Sequence, residues 1–417
     1  MTTPIPTATG CPYSLDATGS ALQREGAELR ALGPAARVVL PGGVPAWSVT
    51  DPELIRRLLT SPDVSKDAYQ HWTAYRDGDL PPDWPLRIWV DVRNALSAYG
   101  DEHRRLRRPL AAAFSPRRVR ALAPQIKAIT DDLLDELQNT GPDEVVDLRA
   151  QFAWRLPLLV VNRILGVPDD LHDAFRDAVG GLFSTDLSPE DAAAAPARVY
   201  ELITELIALK REEPGDDVPS ALVAARAEDR LSDQELADSL MLIIGAGHET
   251  TVNLLDHAAV SLMSHPDQLA LVTSGEVAWE QVVEEALRHE APIATILLRF
   301  PVQDIRDEPT GLTFGQGEAI AINYAAAGRD RATHGQDADA FDITRPTARD
   351  HLAFGYGPHL CLGSELARIE ARIALSSLFG RFPELRLAVA PDELRPLPSF
   401  ISNGHQKIPV VLGPAAV

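Results

Sequence analysis

The chain has 417 residues, 45% of them apolar, and a formal net charge of −21. That is ample apolar material for a core, and the acidic balance excludes nucleic acid as a partner of the whole surface. No apolar run reaches the roughly 18 residues a membrane span needs, the opening MTTPIPTATGCPYSLD resembles no secretory leader, and Cys11 and Cys361 stand far apart in unlike contexts, so a cytoplasmic protein without a disulfide framework is expected.

Residues 1–20 lack periodicity and read as a loosely ordered lead-in. A short helix is expected over 21–32. RVVLPGGVPAWSV then predicts two strands, 37–40 and 46–49, around a Pro-Gly-Gly turn. Asp51-Pro52 caps and starts a helix, ELIRRLLT. Residues 66–99, rich in Trp (Trp72, Trp84, Trp89) and Pro (Pro81, Pro82, Pro85), read as a long loop packed by its own aromatics, a lid or pocket wall. Between His103 and Arg120 lie seven arginines and no carboxylate; a solvated helix face and a surface for an acidic partner both fit. Residues 121–230 read as helical, with a loop at 184–197, STDLSPEDAAAAPA, after the segment around Phe183.

The longest helical pattern covers 232–265, with a capping box of Ser232 and Glu235 and a stop at His265-Pro266. Its length would be about 50 Å. Gly245 and Gly247 interrupt it at a cost of roughly 1 kcal/mol each relative to alanine, and Glu249, Thr250 and Thr251 need partners in mid-core. One reading is a close helix approach at Gly247 with Thr251 bonding back to a carbonyl. The other is a helix locally opened over a flat ligand, with Ala246 and Thr250 on the facing side. WEQVVEEALRHEAP is a further helix, with Glu285 and Arg288 at i, i+3. Residues 297–324 alternate like short strands with Gly turns, and the C-terminal LPSFISNGHQKIPVVLG reads as strand and hairpin.

FGYGPHLCLG, 354–363, runs into an amphipathic helix in which Leu362, Leu366, Ile369 and Ile373 recur at helical spacing. Cys361 therefore stands at a helix N-terminus, where free amide groups stabilise a thiolate. Gly355 and Gly357 let the backbone lie flat or adopt positive φ, and Gly363 allows close approach. A lone thiolate suits one soft axial metal bond better than a zinc cage or an iron–sulfur cluster; a small buried cysteine after an ordinary turn is the alternative.

The pattern F-G-x-G-x-H-x-C-x-G resembles the haem-ligand loop of the cytochrome P450 superfamily. A-G-x-E-T-T in the long helix, E-x-x-R in the later one and F-D-x-x-R before the loop occur in matching order. The whole chain resembles a soluble prokaryotic member, and its Trp-rich stretch and SFISNGHQ ending are similar to a bacterial subfamily that oxidises steroids and polyketide-like molecules. The resemblance implies one mainly α, prism-like domain over 1–417. It would be β-rich near 36–50, 297–324 and 396–413 and α-rich over 100–292, with haem b between the long helix and the cysteine-loop helix. It implies Cys361 as axial iron ligand, shielded by Phe354, with Gly355, Gly363, Ala246 and Gly247 against the haem. His103, Arg107, Arg299 and His359 would bind its propionates, and Glu285, Arg288 and Arg345 would form a buried ion network. Glu249 and Thr250 would form an acid–alcohol pair that brings protons to dioxygen while excluding bulk water.

The activity so implied is monooxygenation of a bulky hydrophobic molecule, steroid ahead of macrolactone, in a pocket of Leu96, Phe183, Ala246, Ile293, Ile296 and Phe400. Electrons would come from NAD(P)H through a separate ferredoxin reductase and ferredoxin, docking at Arg104, Arg105, Arg108 and Arg117 of a monomer. Gly328-Arg329-Asp330-Arg331 departs from the family pattern, with an effect expected on local rigidity only. His248 could join the proton relay or sit neutral in the core. The rivals are a haem-thiolate peroxygenase or isomerase, disfavoured by the intact Glu249 and Thr250, and a non-enzymatic haem sensor or binding protein.

Overall fold

The computed structural model describes residues 12–81, 84–183, 189–227 and 231–416. Alternating apolar residues on both sides of Pro41-Gly42-Gly43 fold into a hairpin of β2 (Ala35–Leu40) and β3 (Val44–Val49), with Val38 opposite Ala46. Gly42 and Gly43 both have positive φ, +85° and +80°, which closes the turn at no steric cost. The lead-in is more ordered than its sequence suggests. Its β1 (Tyr13–Ser14) pairs parallel to β2, and Gly19 packs so closely on the C-terminal region that a Cβ would lie 1.9 Å from the Ser399 carbonyl oxygen. Residues 1–11, including Cys11, lie outside the described chain.

With β4 (Val64–Ser65), β5 (Thr295–Pro301) and β6 (Ile320–Asn323), the main sheet has the order β1-β2-β3-β6-β5-β4. Strands β5 and β6 are antiparallel, and their register shifts between Ile296 and Arg299. Such an irregularity bends a strand and re-aims its side chains.

Four helices position the site: α1 (Gly100–Ala113), α2 (Asp233–Ser264), α3 (Trp279–His289) and α4 (Ser364–Arg381). The capping box of Ser232 and Glu235 is present, and α2 runs for 32 residues. Leu236, Leu240, Ile244, Val252, Leu255, Ala259 and Leu262 are all buried along it, as in a helix enclosed by core. It continues unbroken through Gly245 and Gly247, so the local opening entertained from the sequence is not expressed as a break.

Three further expectations are corrected. Residues 66–99 contain three short helices, Ala68–His71, Thr73–Arg76 and Ile88–Asp91, and their tryptophans plug a core instead of packing a loop. Trp72 stacks on Phe300 of β5 with centroids 5.3 Å apart, and Trp84 donates from Nε1 to the Pro41 carbonyl at 2.8 Å. Residues 184–197 are helical from Pro189, in the helix Pro189–Glu212; 184–188 lie outside the described chain. The C-terminal region holds only the strand Pro409–Val411 and two isolated bridges, Ile293 with Ser402 and Pro396 with His405. There the His405 backbone N–H is taken by the Asp256 carboxylate, not by a ladder.

Candidate functional site

The cysteine loop is shaped by its glycines. Gly355 and Gly357 have φ of +73° and +71°, and a Cβ on Gly357 would lie 2.7 Å from the Leu59 carbonyl oxygen, so only glycine fits. Cys361 donates its backbone N–H to Phe354 at 2.9 Å, which folds the loop back on itself. The Phe354 ring lies beneath the Arg368 guanidinium, 4.6 Å from its centroid. Cys361 offers accessible surface, while burial of its sulfur among the surrounding protein pushes the thiol up. The amides of Gly363 and Ser364 and the charges of Arg107 and Arg368 pull the other way without prevailing. The amides of the helix N-terminus thus favour the thiolate as expected, and a cation at Sγ would add the charge that burial withholds.

Beside the loop lies a cluster of basic groups with no carboxylate among the described residues. His103 of α1 and His359 of the loop stack with ring centroids 3.9 Å apart. The register shift in β5 brings Arg299 to them, buried, with Nη1 donating to the Leu298 carbonyl at 3.1 Å. Arg107 donates from Nη2 to the Leu360 carbonyl. His103 Nε2 is buried without a partner. Burial and then Arg107, Arg104 and Arg299 push the His103 imidazole down to about 4, and burial, Arg299, His103, Lys66 and Arg107 drive His359 further down. These shifts show that burial and mutual repulsion disfavour the charged forms, which an anion joining the cluster would restore. The cluster therefore fits a ligand with carboxylates.

Lys66 belongs to this cluster and escaped the sequence reading. It follows β4 in an unremarkable SKD triplet, and only the pairing of β4 with β5 brings it near Arg299. Its Nζ donates to the Leu297 carbonyl at 3.1 Å, and burial followed by the charge of Arg299 pushes it well down. Removing the amine should loosen a bound dicarboxylate. Lys66→Met is expected to speed transfer of haem to apomyoglobin roughly tenfold to a hundredfold, as befits one hydrogen bond to a charged group.

From α2, Ala246 is exposed although its neighbours Ile243 and Ile244 are buried, so the helix opens onto a cleft there. Thr250 Oγ1 donates to the Ala246 carbonyl at 2.7 Å, and Thr251 makes the same back-bond to Gly247 at 3.4 Å. At Gly247 a Cβ would meet only Val161, at 3.3 Å. Burial pushes the Glu249 carboxyl up, opposed by the charge of Arg149 and a hydrogen bond with Ser402. His248 is buried, bonds through Nε2 to the Trp154 carbonyl at 2.9 Å, and is pushed down to about 4 by burial, so it is a neutral core residue.

Of the expected pocket residues, Leu96, Ile293 and Ile296 are half-buried and able to offer surface. Phe400 is instead packed into the second core with Trp72 and Phe300, leaving 3% exposed. The Phe183 side chain lies outside the described residues. A cavity of about 410 Å³ lies among Asp91, Val92, Arg93, Tyr200, Gln234 and Asp238.

Behind the loop, Glu285 and Arg288 are wholly buried and joined by two bonds of 2.7 Å, with Arg345 Nε 3.4 Å from the same carboxylate. Gly328 does more than tune rigidity. Its carbonyl accepts from Arg288 at 2.8 Å, and a Cβ there would lie 2.2 Å from the Arg288 carbonyl oxygen. A second buried carboxylate, Glu284, ties α3 to α4. Burial alone would raise it, but bonds from His351 and Arg368 outweigh that and hold it at about 2. A carboxyl depressed on folding contributes stability above the ordinary range near 4.5 and loses it as pH falls toward 2. Between those values the thermal midpoint should fall with acid, and less steeply in Glu284→Gln than in the wild type.

The arginine-rich stretch is less free than its sequence implied. Arg104 pairs with Asp101, and Arg105 with Glu102 and Glu235. Arg108 and Arg117 are exposed and make no ion pair among the described residues.

Among the described residues, no helix is long and apolar enough to cross a membrane. The cytochrome P450 family model matches residues 279–398. The chain is 40% identical over 403 residues to the 2-hydroxy-5-methyl-1-naphthoate 7-hydroxylase of Streptomyces carzinostaticus, covering 96% of this chain and 98% of that protein. It superposes on CYP154A1 from Streptomyces coelicolor A3(2) with a TM-score of 0.88 and 52% identity, covering 96% of this chain and 100% of the other. On testosterone-bound CYP154C4 from Streptomyces sp. ATCC 11861 the TM-score is 0.92 with 41% identity, covering 98% and 100%.

Proposed function

The chain belongs to the cytochrome P450 family, and on that premise we propose that it hydroxylates a bulky, rigid, hydrophobic molecule of steroid size, drawing electrons from a ferredoxin-type donor. It is a monooxygenase, using haem and dioxygen as the family does. Haem, when bound, supplies the iron that activates dioxygen. Cys361 would hold that iron, and His103, Arg107, Arg299, His359 and Lys66 would hold the propionates. The observation that carries this is the cluster of basic groups, with no carboxylate among the described residues, beside the loop that holds the chain's one described cysteine. Thr250 directs its hydroxyl proton at the Ala246 carbonyl, which leaves its oxygen free to accept a hydrogen bond, and turning away from that carbonyl would free the proton for relay. Glu249, raised by burial, can hold a proton nearer neutrality than an ordinary carboxyl. Thr250→Ala should divert much of the NAD(P)H consumed into peroxide; product formation at an unchanged yield per NAD(P)H would count against the pair.

The steroid assignment is supported by the likeness to the testosterone-bound relative and by the apolar, half-buried Ile293 and Ile296. Titrating the haem-loaded enzyme with testosterone and with a 14-membered macrolactone tests it through the shift of the haem absorption. Saturation by the steroid at lower concentration is expected; saturation by the macrolactone alone would reverse the choice. We place the enzyme in the cytoplasm, as a monomer.

Docking of an acidic ferredoxin would fall to Arg108 and Arg117, the two of the four expected arginines that make no ion pair among the described residues. Arg108→Glu with Arg117→Glu is expected to slow reduction roughly tenfold at low salt, an effect that fades near physiological ionic strength. An unchanged rate at low salt would remove these residues from the docking surface.

A further inference from the structure

On α2, Glu249, Asn253, Asp256 and His257 recur at i, i+4, i+7 and i+8, so one stripe of the helix carries polar groups into the core. Buried polar groups require partners, and these come from two other elements. One is Arg149, which opens the turn Arg149–Ala153; the other is the segment 402–405. Arg149 is itself buried, donating from Nη1 to Asp256 Oδ2 at 2.7 Å and from Nη2 to Asn253 Oδ1 at 3.0 Å. His405 completes Asp256, with its backbone N–H 2.8 Å from Oδ2 and its Nδ1 2.5 Å from Oδ1. Gly404 is what lets the segment come so close. A Cβ there would lie 2.4 Å from Asn253 Oδ1 and 3.2 Å from Arg149 Nη1. Of the groups that close on Arg149, His405 is the partly exposed one, beside the exposed Gln406.

We propose that Arg149 is the positioning residue of Glu249: clamped by Asn253 and Asp256, it presents a fixed positive charge to the acid, and His405, acting through Asp256, sets how much of that charge Glu249 feels. This rests on the reading of Glu249 as the acid of the proton-delivering pair. A buried carboxyl resists ionisation, yet an acid that gives up a proton and reclaims it must visit both states. Arg149 supplies the opposing charge, and the Ser402 hydroxyl a hydrogen bond. A guanidinium does not release its proton, so Arg149 acts by charge and orientation and carries no proton itself.

Asp256 on its own would cancel the charge of Arg149. With His405 protonated, Arg149, Asp256 and His405 together carry one positive charge; with His405 neutral they carry none. Burial by itself would lower His405, but its bond to Asp256 and the charges of Asp256 and Glu290 outweigh that and raise it. The other titratable group against it is His257, 5.1 Å away between ring centroids. The sign follows: as pH rises through the His405 titration the cluster loses a positive charge, and Glu249 holds its proton more tightly. Asp256, His257 and His405 also have the spacing of a metal site. The guanidinium on Asp256 opposes that use by setting a fixed positive charge where the ion would bind.

The test reads the protonation of Glu249 directly. Infrared difference spectra of the haem-loaded enzyme are recorded across pH, with the carboxyl band assigned by its loss in Glu249→Gln. Arg149→Gln should raise the midpoint by about one pH unit, a tenfold gain in proton affinity, and Arg149→Lys should recover most of the difference. Asp256→Asn, which leaves Arg149 unopposed, should lower the midpoint. His405→Gln should raise it and remove its dependence on the His405 titration. A purely structural role would lower the thermal midpoint and leave the Glu249 titration in place, and that result in folded Arg149→Gln overturns the proposal. Should Arg149→Gln fail to fold, unmoved titrations in Asp256→Asn and His405→Gln overturn it equally. Peroxide release under a surrogate ferredoxin and reductase tests the premise separately. If Glu249→Gln leaves the peroxide share unchanged, Glu249 is not the delivering acid, even where its titration still follows Arg149.

Discussion

Cys361→Ser is expected to reduce monooxygenation to background and to erase the thiolate signature from the carbon-monoxide difference spectrum of the reduced protein, while the chain still folds and takes up haem. The three parts of this result have separate causes. Folding should survive because Cys361 belongs to none of the apolar core clusters and offers accessible surface, so the change removes little packing. Haem uptake should survive because the propionate side is held by groups that do not involve the sulfur: Lys66, His103, Arg107, Arg299 and His359. The signature and the activity should go because a serine hydroxyl is far harder to ionise than a thiol already raised by burial, and only a thiolate pushes electron density toward the iron. Retention of the signature in Cys361→Ser would refute the ligand assignment. Loss of haem together with the signature would show that the cation cluster is not the main anchor.

How far the sequence reached is clearest at residues where local pattern and tertiary contact part company. The capping box at Ser232 and Glu235, the hairpin around Gly42 and the helix after Cys361 are fixed by neighbours within a few positions, and all were legible. Glu285 and Arg288 were legible as a pair from their i, i+3 spacing, although spacing alone cannot tell a buried pair from a surface one. Lys66 was not legible, because its meaning comes from a strand pairing across more than 200 residues of sequence with Phe300 and Pro301. The same holds for Trp72, whose partner Phe300 lies equally far along the chain. The helix N-terminus at Cys361 was legible, and its amides do favour the thiolate, but the opposing burial was not legible because it depends on what encloses the sulfur. Arg149 looked like one arginine among many until Asn253, Asp256 and His405 closed on it.

Glu285→Gln should cost about 3–5 kcal/mol, the usual penalty for stranding one half of a buried ion pair. Glu285 is the sole carboxylate facing two guanidiniums in a place where neither Glu285 nor Arg288 shows any surface. Arg288 spends Nε and Nη2 on it at 2.7 Å and gives its remaining bonds to the carbonyls of Gly328, Ala338 and Ala340 at 2.7–2.8 Å. Glu285 also accepts the Asp342 backbone N–H at 2.8 Å. One carboxylate thus fastens α3 to the irregular segment that leads into the cysteine loop. Glutamine keeps the volume and one acceptor but leaves two charges for the exposed Asp337 to answer alone, and Asp337 touches only Arg345. Arg288→Lys should also be damaging, because a point charge cannot reach three carbonyls and a carboxylate with one planar fork. Since whole domains are stable by only about 5–15 kcal/mol, a loss of this size should appear as a large drop in the urea midpoint, with haem released ahead of global unfolding as the segment behind Cys361 loosens. A change below about 1 kcal/mol would mean that water reaches the pair in solution and that the segment is held by something else.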